Sequence, residues 1–283
     1  MSLFQPTQLF KFLESIGHKP SKRLSQNFLI DGNILKKIIA AASLKPGDVV
    51  IEIGPGPGVL TEALLEEGAQ VIAIEKDTLF AKALTRLQTP EKTLTIFEDD
   101  ILEFPLVDAL KKHLKPNQKA KIISNLPYHL TSPIFGKILP LYDFIDLMIV
   151  MVQKEVADRI VSKKGSKNYS SFSIFTQFYS TPTLLFQVSP QCFYPKPKVT
   201  SAVIECKLAS PPKDLDPDLF FNFIKKSFST RRKMLTTSLK EYFEQDAVLR
   251  ALKALSIDEK ARPEDLSLED FFKLFKRLYL SAL

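Results

Sequence analysis

The chain has 283 residues, of which 45% are hydrophobic and 25% are charged. This length suits one large and one small domain, and the composition is typical of a soluble globular protein rather than a disordered or membrane one. No apolar run approaches the roughly 20 residues that span a bilayer, and the first residues lack a signal-peptide pattern, so we expect no membrane association and a cytoplasmic location. The 2 cysteines and 3 scattered histidines form no metal-binding pattern, so we expect no metal.

The net charge of +7 points to a polyanionic partner, and its distribution is more informative than its total. No acidic residue occurs between Asp158 and Glu205 or between Asp218 and Glu241. Aromatic residues alternate with basic ones there, which favours a nucleic-acid surface; an ordinary solvated face is the alternative. The basic residues of these two stretches are Arg159, Lys163, Lys164, Lys167, Lys196, Lys198, Lys225, Lys226, Arg231, Arg232, Lys233 and Lys240.

Five apolar, β-branched runs alternate with helical patterns from Asp48 onward. The runs are Asp48–Gly54, Gln70–Asp77, Thr93–Asp100, Ala120–Tyr128 and Asp143–Gln153. This alternation predicts an α/β fold with a doubly wound parallel sheet, covered on both faces by helices. Two later runs, "TPTLLFQVSP" and "TSAVIECKL", lack an intervening helix. We predict that they form an antiparallel pair at the sheet edge and complete seven strands.

The segment that follows the last run is rich in proline and aspartate, as linkers are. Beyond it, apolar residues recur at helical spacing to the end of the sequence. We therefore predict a sheet domain over residues 1–208, a linker over 209–217 and a small all-helical domain over 218–283.

A glycine-rich loop, "EIGPGPG", follows the first run at Glu52–Gly58. Glycine lets the backbone approach a ligand closely. A dinucleotide fingerprint would need a third glycine where the chain has Val59, and Pro55 and Pro57 remove two N–H donors that a pyrophosphate needs. The loop therefore disfavours a dinucleotide-dependent oxidoreductase.

Carboxylates end three of the predicted strands, at Glu52, Glu75 and the pair Asp99 and Asp100. These strand ends should line one crevice, and Glu75 lies about 20 residues beyond the loop, where an acid can bind ribose hydroxyls. So many acids would repel phosphate but suit S-adenosylmethionine, which carries a sulfonium and an ammonium group. We expect this cofactor; solvated loop residues are the alternative for any one acid.

The fourth run ends in "SNLPY", which should place Asn125 at the same crevice. A strand-ending turn is the alternative, because asparagine and proline are both turn residues. However, Pro127 stiffens the backbone that displays the Leu126 carbonyl, and Tyr128 offers a flat ring.

Four motifs occur in the order found in the ribosomal RNA adenine dimethyltransferases, and the chain resembles that family. They are "QNFL" (Gln26–Leu29), "EIGPGPGVLT" (Glu52–Thr61), "NLPYHLTSPI" (Asn125–Ile134) and "FYPKPKVTSAVI" (Phe193–Ile204). The resemblance covers roughly residues 24–208 and is closest to the small-subunit members, whose loss confers kasugamycin resistance. At Leu126 many amino-methyltransferases carry proline, but the carbonyl is the working group there.

The resemblance implies a Rossmann-like methyltransferase sheet, with residues 1–46 closing over the cofactor and residues 218–283 binding RNA or the subunit. Asn125 and the Leu126 carbonyl would accept hydrogen bonds from an adenine amine, and Tyr128 and Phe193 would stack on the flipped base. Core packing is the alternative for Phe193. The basic segment Lys19–Arg23 would reach RNA. The implied cofactor contacts are Asn27, Leu29, Gly54, Glu75, Asp100 and Asn125.

We therefore expect a monomeric enzyme that uses S-adenosylmethionine to dimethylate N6 of two adjacent adenines in small-subunit ribosomal RNA, with the assembling small subunit as partner. A large-subunit adenine methyltransferase of the macrolide-resistance type is one alternative. A non-catalytic ribosome assembly factor with the same fold is another, although its expected marks, a broken cofactor loop or a lost asparagine, do not occur here.

Overall fold

The computed structural model describes residues 3–18, 27–230 and 233–280. Strands and α-helices in these ranges are joined by short loops and 3-10 turns. The strands are β1 (Phe28–Leu29), β2 (Val49–Ile53), β3 (Gln70–Glu75), β4 (Leu94–Glu98), β5 (Ala120–Asn125), β6 (Ile145–Gln153), β7 (Ser180–Val188), β8 (Phe193–Tyr194) and β9 (Ser201–Leu208).

The helices alternate with these strands in the first part of the chain and predominate in the last part. They are α1 (Pro6–Ser15), α2 (Gly32–Ala42), α3 (Val59–Glu66), α4 (Thr78–Leu84), α5 (Leu106–His113), α6 (Thr131–Ile138), α7 (Lys154–Ile160), α8 (Ser171–Tyr179), α9 (Pro217–Ser227), α10 (Leu235–Leu239), α11 (Gln245–Ala254) and α12 (Leu268–Leu280). None of the helices within the described ranges is long and apolar enough to cross a bilayer.

Seven strands form one sheet in the order β4-β3-β2-β5-β6-β9-β7. The pairs from β4 to β6 are parallel, whereas β9 runs antiparallel to β6. The predicted mostly parallel sheet with an antiparallel edge is therefore confirmed. The chain reverses its direction of progress across the sheet between β2 and β5, and sheets of this kind bind ligands at the carboxyl ends of the strands beside such a switch point.

Strand β2 has the continuous apolar sequence that predicted a buried strand. All five of its residues are buried, as expected for a central strand covered on both faces. Only one of them, Glu52, has an ionisable side chain, and it lies at the end that faces the glycine loop. A buried carboxylate in an otherwise apolar strand is costly unless it is paired or protonated, which favours a functional role for this end of the strand.

A second, two-stranded sheet joins two segments that are far apart in sequence. Strand β1 pairs antiparallel with β8, so that Phe28 lies opposite Tyr194 and Leu29 lies opposite Phe193. The ring of Phe10 on α1 packs edge-on against Tyr194, with 4.4 Å between the ring centroids. This pairing was not predicted, because two-residue strands are too short to show a periodicity.

The chain forms two compact units. One comprises Met1–Ala157 and Thr181–Ala209, and the other comprises Asp158–Ser180 and Ser210–Leu283. The second unit thus includes a segment that lies within the range predicted for the sheet domain. The predicted domain bounds, with their linker and their roles, stay predictions.

The second unit has an aromatic core. Phe178 of α8 stacks on Phe220 of α9, with 5.4 Å between their ring centroids. Phe223, Phe271 and Phe275 extend the same core across α9 and α12. These rings supply the apolar burial that holds the short helices together, because isolated helices of this length are marginal in water.

Candidate active site

The glycine loop after β2 has a backbone that only glycine adopts easily. Gly54, Gly56 and Gly58 all have positive φ, at 66°, 55° and 85°. A Cβ atom on Gly58 would lie 2.7 Å from Cδ2 of Leu84, so this residue also has no room for a side chain. The loop therefore brings bare backbone to the carboxyl end of the sheet, where it lines a cavity.

Glu75 ends β3 and fixes the glycine loop. Its Oε2 accepts a hydrogen bond from the Gly56 amide at 2.9 Å, and its Oε1 accepts one from the Asp77 amide at 2.8 Å. Burial raises the pKa of this carboxyl, and the two backbone donors partly offset that effect. Each oxygen keeps a lone pair for a further donor, so Glu75 can still bind a hydroxyl group in the cavity.

Glu52 also lines the cavity, but its state differs from that of Glu75. The Thr61 hydroxyl on α3 donates to Glu52 Oε2 at 2.6 Å. Burial raises the pKa of Glu52 to about 8, and the nearby charge of Glu75 acts in the same direction. Glu52 therefore carries a proton at neutral pH for most of the time. The partner Thr61 was not anticipated; the available signal was a hydroxyl on a helix face that is otherwise apolar.

Asp100 follows β4 and is held at the cavity by two donors. The Leu102 amide donates to its Oδ1 at 2.9 Å, and the Lys76 ammonium donates to its Oδ2 at 2.7 Å. The bond from Lys76 lowers the pKa of Asp100, which is therefore ionised. Lys76 was missed by sequence reasoning, because next to Glu75 in the chain it reads as an ordinary exposed residue; its side chain is 65% exposed.

Asn125 ends β5 at the same cavity. Its Nδ2 donates to the main-chain carbonyl of Asn27 at 3.0 Å. Its Oδ1 is buried and has no hydrogen-bond partner among the residues that the structure describes. The next residue, Leu126, is fixed by its amide, which donates to the Met151 carbonyl on β6 at 3.1 Å. A buried acceptor without a donor is uncommon, and it marks a place where a ligand can bind.

Tyr128 lines the cavity next to Asn125. Its hydroxyl forms a hydrogen bond with the Ser201 hydroxyl at the start of β9. Burial raises the pKa of this phenol, so the ring is neutral. The bond to Ser201 anchors the distal end of the ring and leaves the ring itself as a fixed wall of the cavity.

Phe193 is placed differently from the other residues predicted for the site. It is only 2% exposed, belongs to the hydrophobic core and is not among the residues that line the cavity. Its predicted stacking role is therefore not tested by this arrangement and stays a prediction. Asn27 and Leu29 do line the cavity, whereas Gln26 and the basic segment Lys19–Arg23 lie outside the described residues.

The cavity is lined by more acids than bases. Its charged or ionisable lining side chains are Glu52, Glu75, Lys76, Asp77, Asp99, Asp100, Tyr128 and His129. A phosphate-bearing cofactor would meet net repulsion there, whereas a cationic one would be attracted. Among the described residues, no group of histidine, cysteine, aspartate and glutamate side chains could hold a metal ion.

The geometry agrees with a family match. The model of a family described as ribosomal RNA adenine dimethylase matches residues 17–279 of the chain. The chain belongs to this family. The predicted enzyme class, a ribosomal RNA adenine dimethyltransferase that depends on S-adenosylmethionine, is thereby confirmed.

Relatives of this adenine dimethylase support the small-subunit branch of the family. Ribosomal RNA small subunit methyltransferase A of Protochlamydia amoebophila is 49% identical over 281 residues, which cover 99% of each chain. The protein of the same name from Chlamydia muridarum is 43% identical over 274 residues, which cover 96% of each chain. These relatives do not favour the large-subunit alternative or the non-catalytic one.

Two solved methyltransferase structures are similar to this chain over most of its length. A dimethyladenosine transferase from Plasmodium falciparum matches with a TM-score of 0.76 at 26% identity, covering 90% of this chain and 98% of that one. The 23S rRNA methyltransferase ErmE matches with a TM-score of 0.69 at 24% identity, covering 89% of this chain and 100% of that one. The second likeness shows the fold alone.

Proposed function

We propose that this chain transfers methyl groups from S-adenosylmethionine to N6 of two adjacent adenines in small-subunit ribosomal RNA, giving N6,N6-dimethyladenosine in the assembling subunit. The observation that carries the proposal is the Asn125 side chain. Its amide nitrogen is occupied by the Asn27 carbonyl, and its buried oxygen has no donor within the described ranges. An acceptor at this point of the cavity is what an exocyclic amine requires.

The lining of the cavity supports the cofactor in this proposal. When bound, S-adenosylmethionine supplies an electrophilic methyl group on a sulfonium. Glu75 would accept hydrogen bonds from the ribose hydroxyls, and Asp100 would accept one from the adenine amine of the cofactor. Gly54 would contact the methionine end, where its lack of a side chain leaves the backbone accessible. Asn27 and Leu29 would cover the cofactor from the segment around β1.

Two acceptors would activate the substrate amine. The lone pair of an exocyclic adenine amine is delocalised into the ring, so the amine is a poor nucleophile. Asn125 Oδ1 and the Leu126 carbonyl would accept its two N–H bonds, which favours a pyramidal nitrogen with its lone pair directed at the methyl carbon. Methyl transfer to the amine held by these two acceptors would break the S–C bond as the N–C bond forms, and the nitrogen would then release a proton to water. No strong base is needed, because the methylated ammonium is already acidic.

Base flipping is required, because N6 of a stacked adenine cannot reach the end of β5. Tyr128 would pack against one face of the flipped base, since its ring already forms a wall of the cavity. Phe193 would pack against the other face only if the segment around β8 shifted, because its ring is buried in the core. Stacking on aromatic rings recovers part of the few kcal/mol that unstacking costs.

Exposed lysines support an RNA substrate. Lys196 and Lys198 are exposed in the loop between β8 and β9. Lys163 and Lys167 are exposed in the second unit. These ammonium groups would contact phosphates and make binding depend on salt. Arg231 and Arg232, which belong to the second basic stretch, lie outside the described residues. The monomeric state, the cytoplasmic location and the ribosomal-subunit partner stay predictions.

The experiment that tests this function uses labelled S-adenosylmethionine and small ribosomal subunits from cells that lack the dimethylase. Large subunits serve as the matched control, and nucleosides are separated by mass after digestion. We expect label in small-subunit RNA alone, as N6,N6-dimethyladenosine. Label only in large subunits would support the large-subunit alternative. Bound cofactor without any transfer would support a non-catalytic assembly factor.

A further inference from the structure

The main-chain carbonyl of Asn27 contacts the side chain on which the proposed reaction depends. It accepts a hydrogen bond from Nδ2 of Asn125 at 3.0 Å. A carbonyl oxygen can only accept, so the amide nitrogen must face it and the amide oxygen must point the other way. We infer that the Asn27 carbonyl is a positioning group for methyl transfer, because it decides which end of the Asn125 amide meets the substrate amine. This inference rests on the proposed function.

The orientation of this amide matters because its two ends have opposite hydrogen-bonding character. The oxygen can accept an N–H bond from the adenine amine, whereas the NH₂ group would meet that amine donor to donor. A half turn of the amide exchanges the two ends and hardly changes the shape of the side chain. Packing alone therefore does not select the productive orientation, and a fixed acceptor beside the nitrogen does.

The Asn27 carbonyl is held in place by the pairing of β1 with β8. Leu29 lies opposite Phe193, and the Ile30 amide donates to the Cys192 carbonyl at 2.8 Å. The Cys192 thiol donates to Asp31 Oδ2 at 3.3 Å. The other oxygen of this aspartate caps the first turn of α2. The residues that follow the carbonyl are thus tied both to β8 and to the start of α2.

The variant Asn125→Asp tests the two roles separately. It keeps an acceptor for the substrate amine but loses the donor to the Asn27 carbonyl. An ionised carboxylate accepts an amine N–H at least as well as an amide oxygen does, but it has no hydrogen for the Asn27 carbonyl. At about pH 8.5 we expect turnover at saturating cofactor to fall at least ~10-fold below wild type. Near pH 6 the deficit should shrink several-fold, because the introduced carboxyl, whose pKa is raised by burial beside a carbonyl, then donates to Asn27.

The ratio of variant to wild type isolates this effect from the other titrating groups. Those that share the cavity with Asn125 are Lys76, Tyr128, His129 and five acids, Glu52, Glu75, Asp77, Asp99 and Asp100. They are present in both proteins, so the ratio removes the part of the pH dependence that the two proteins share. The matched control is Asn117→Asp, which makes the same charge change at an exposed turn where aspartate also tolerates positive φ.

A second pair of variants tests how the Asn27 carbonyl is held in place. This test does not require that Asn125→Asp fold well. Cys192→Ala removes the thiol donor to Asp31, and Cys192→Ser keeps a donor there. We expect the alanine variant to lose turnover at saturating cofactor by about 2- to 5-fold and the serine variant to recover it. Rescue by serine would not follow from a loss of packing alone.

Failure of the positioning role can be distinguished from failure of the proposed function. If wild type transfers no methyl group to RNA, the proposed function fails. If wild type is active and the ratio of Asn125→Asp to wild type does not change between about pH 6 and pH 8.5, the positioning role of the Asn27 carbonyl is overturned. Equal turnover of wild type and both Cys192 variants would overturn the role of the Cys192–Asp31 bond in holding it.

Discussion

The two halves of the cavity differ in how far the protein itself satisfies their polar groups. In the half formed by the ends of β3 and β4, the Glu75 and Asp100 carboxylates already accept hydrogen bonds from backbone amides. In the half formed by the end of β5, Asn125 Oδ1 is buried with no donor among the described residues. The first half is therefore shaped before any ligand binds, whereas the second has an acceptor that a ligand can satisfy.

This difference suits the two partners of the proposed reaction. A cofactor that binds in every cycle benefits from rigid acceptors, because acceptors that are already oriented lose little conformational entropy on binding. An unsatisfied buried acceptor costs about 1–3 kcal/mol in the free protein, and that cost is recovered when the substrate amine donates to it. Interactions realised as the amine reacts raise turnover more than interactions that merely tighten binding.

The largest expected effect comes from removing the unsatisfied acceptor. Asn125→Ala should lower single-turnover methyl transfer about 10²- to 10³-fold, because the amine loses an acceptor that is fixed in position. Cofactor affinity, measured by calorimetry, should change little, since the cofactor half keeps its own hydrogen bonds. The control is Asn33→Ala, an exposed residue on α2 without a positive φ. Undiminished transfer by Asn125→Ala would show that the substrate amine does not depend on the acceptor in the β5 half of the cavity.

The next effect concerns Glu52, which the fold keeps protonated. Because burial raises its pKa to about 8, its contribution to stability is fully present below the ordinary pKa of 4.5 and is lost as the pH rises to about 8. Glu52→Gln keeps an acceptor for Thr61 and has no proton to lose. Between these pH values the free energy of unfolding of wild type should therefore fall by roughly 3 to 5 kcal/mol relative to this variant.

Denaturant unfolding of both proteins across this pH range checks the prediction. Glu66→Gln on the exposed end of α3 is the matched control, and it should follow wild type. Parallel pH dependences of wild type and Glu52→Gln would mean that Glu52 is ionised in the folded protein. The cofactor half would then carry one more negative charge than we infer.

A smaller effect is expected at Glu75. Glu75→Gln removes the charge and turns an NH₂ group toward one of the two backbone donors, Gly56 or Asp77. We expect the Kd for S-adenosylmethionine to rise about 10- to 100-fold, since a charge-assisted hydrogen bond is lost and the loop is loosened. Glu98→Gln, an exposed residue at the end of β4, is the control. An unchanged Kd would show that the cofactor half does not depend on this carboxylate.

The smallest effect concerns RNA affinity. Replacing Lys196 and Lys198 together with alanine should weaken RNA binding and reduce the slope of log K against log salt by about 0.7 to 0.9 for each phosphate that the protein no longer binds. The control pair is Lys111 and Lys112, which are exposed on α5 and change the charge equally. If both pairs alter the slope by the same amount, the loop between β8 and β9 has no special role in binding RNA.

Much of the sheet could be predicted from the sequence, because its strands are largely apolar runs of five to nine residues bounded by turn signals. Residues at the carboxyl ends of parallel strands lie at the same edge of the sheet. That is why Glu75, Asp100 and Asn125 could be assigned to one crevice from the sequence, and all three line it. Their roles toward cofactor and substrate stay predictions.

The contacts that orient these residues could not be predicted in the same way. The β1–β8 pairing joins two-residue strands that have no periodicity, and the acceptor beside Asn125 is a main-chain carbonyl, which every residue carries. The bond from Lys76 to Asp100 links side chains 24 residues apart. The burial of Phe193 follows from packing around β8, so sequence alone could only leave core packing open as an alternative.

The most direct test of the central claim is a structure of the protein with S-adenosylhomocysteine and an RNA that contains the target adenine. We predict that N6 of the flipped adenine lies within about 2.7–3.2 Å of Asn125 Oδ1, with Nδ2 still bonded to the Asn27 carbonyl. An adenine bound in the cavity with Asn125 Nδ2 facing N6, or with N6 too far from Oδ1 for a hydrogen bond, would contradict the account.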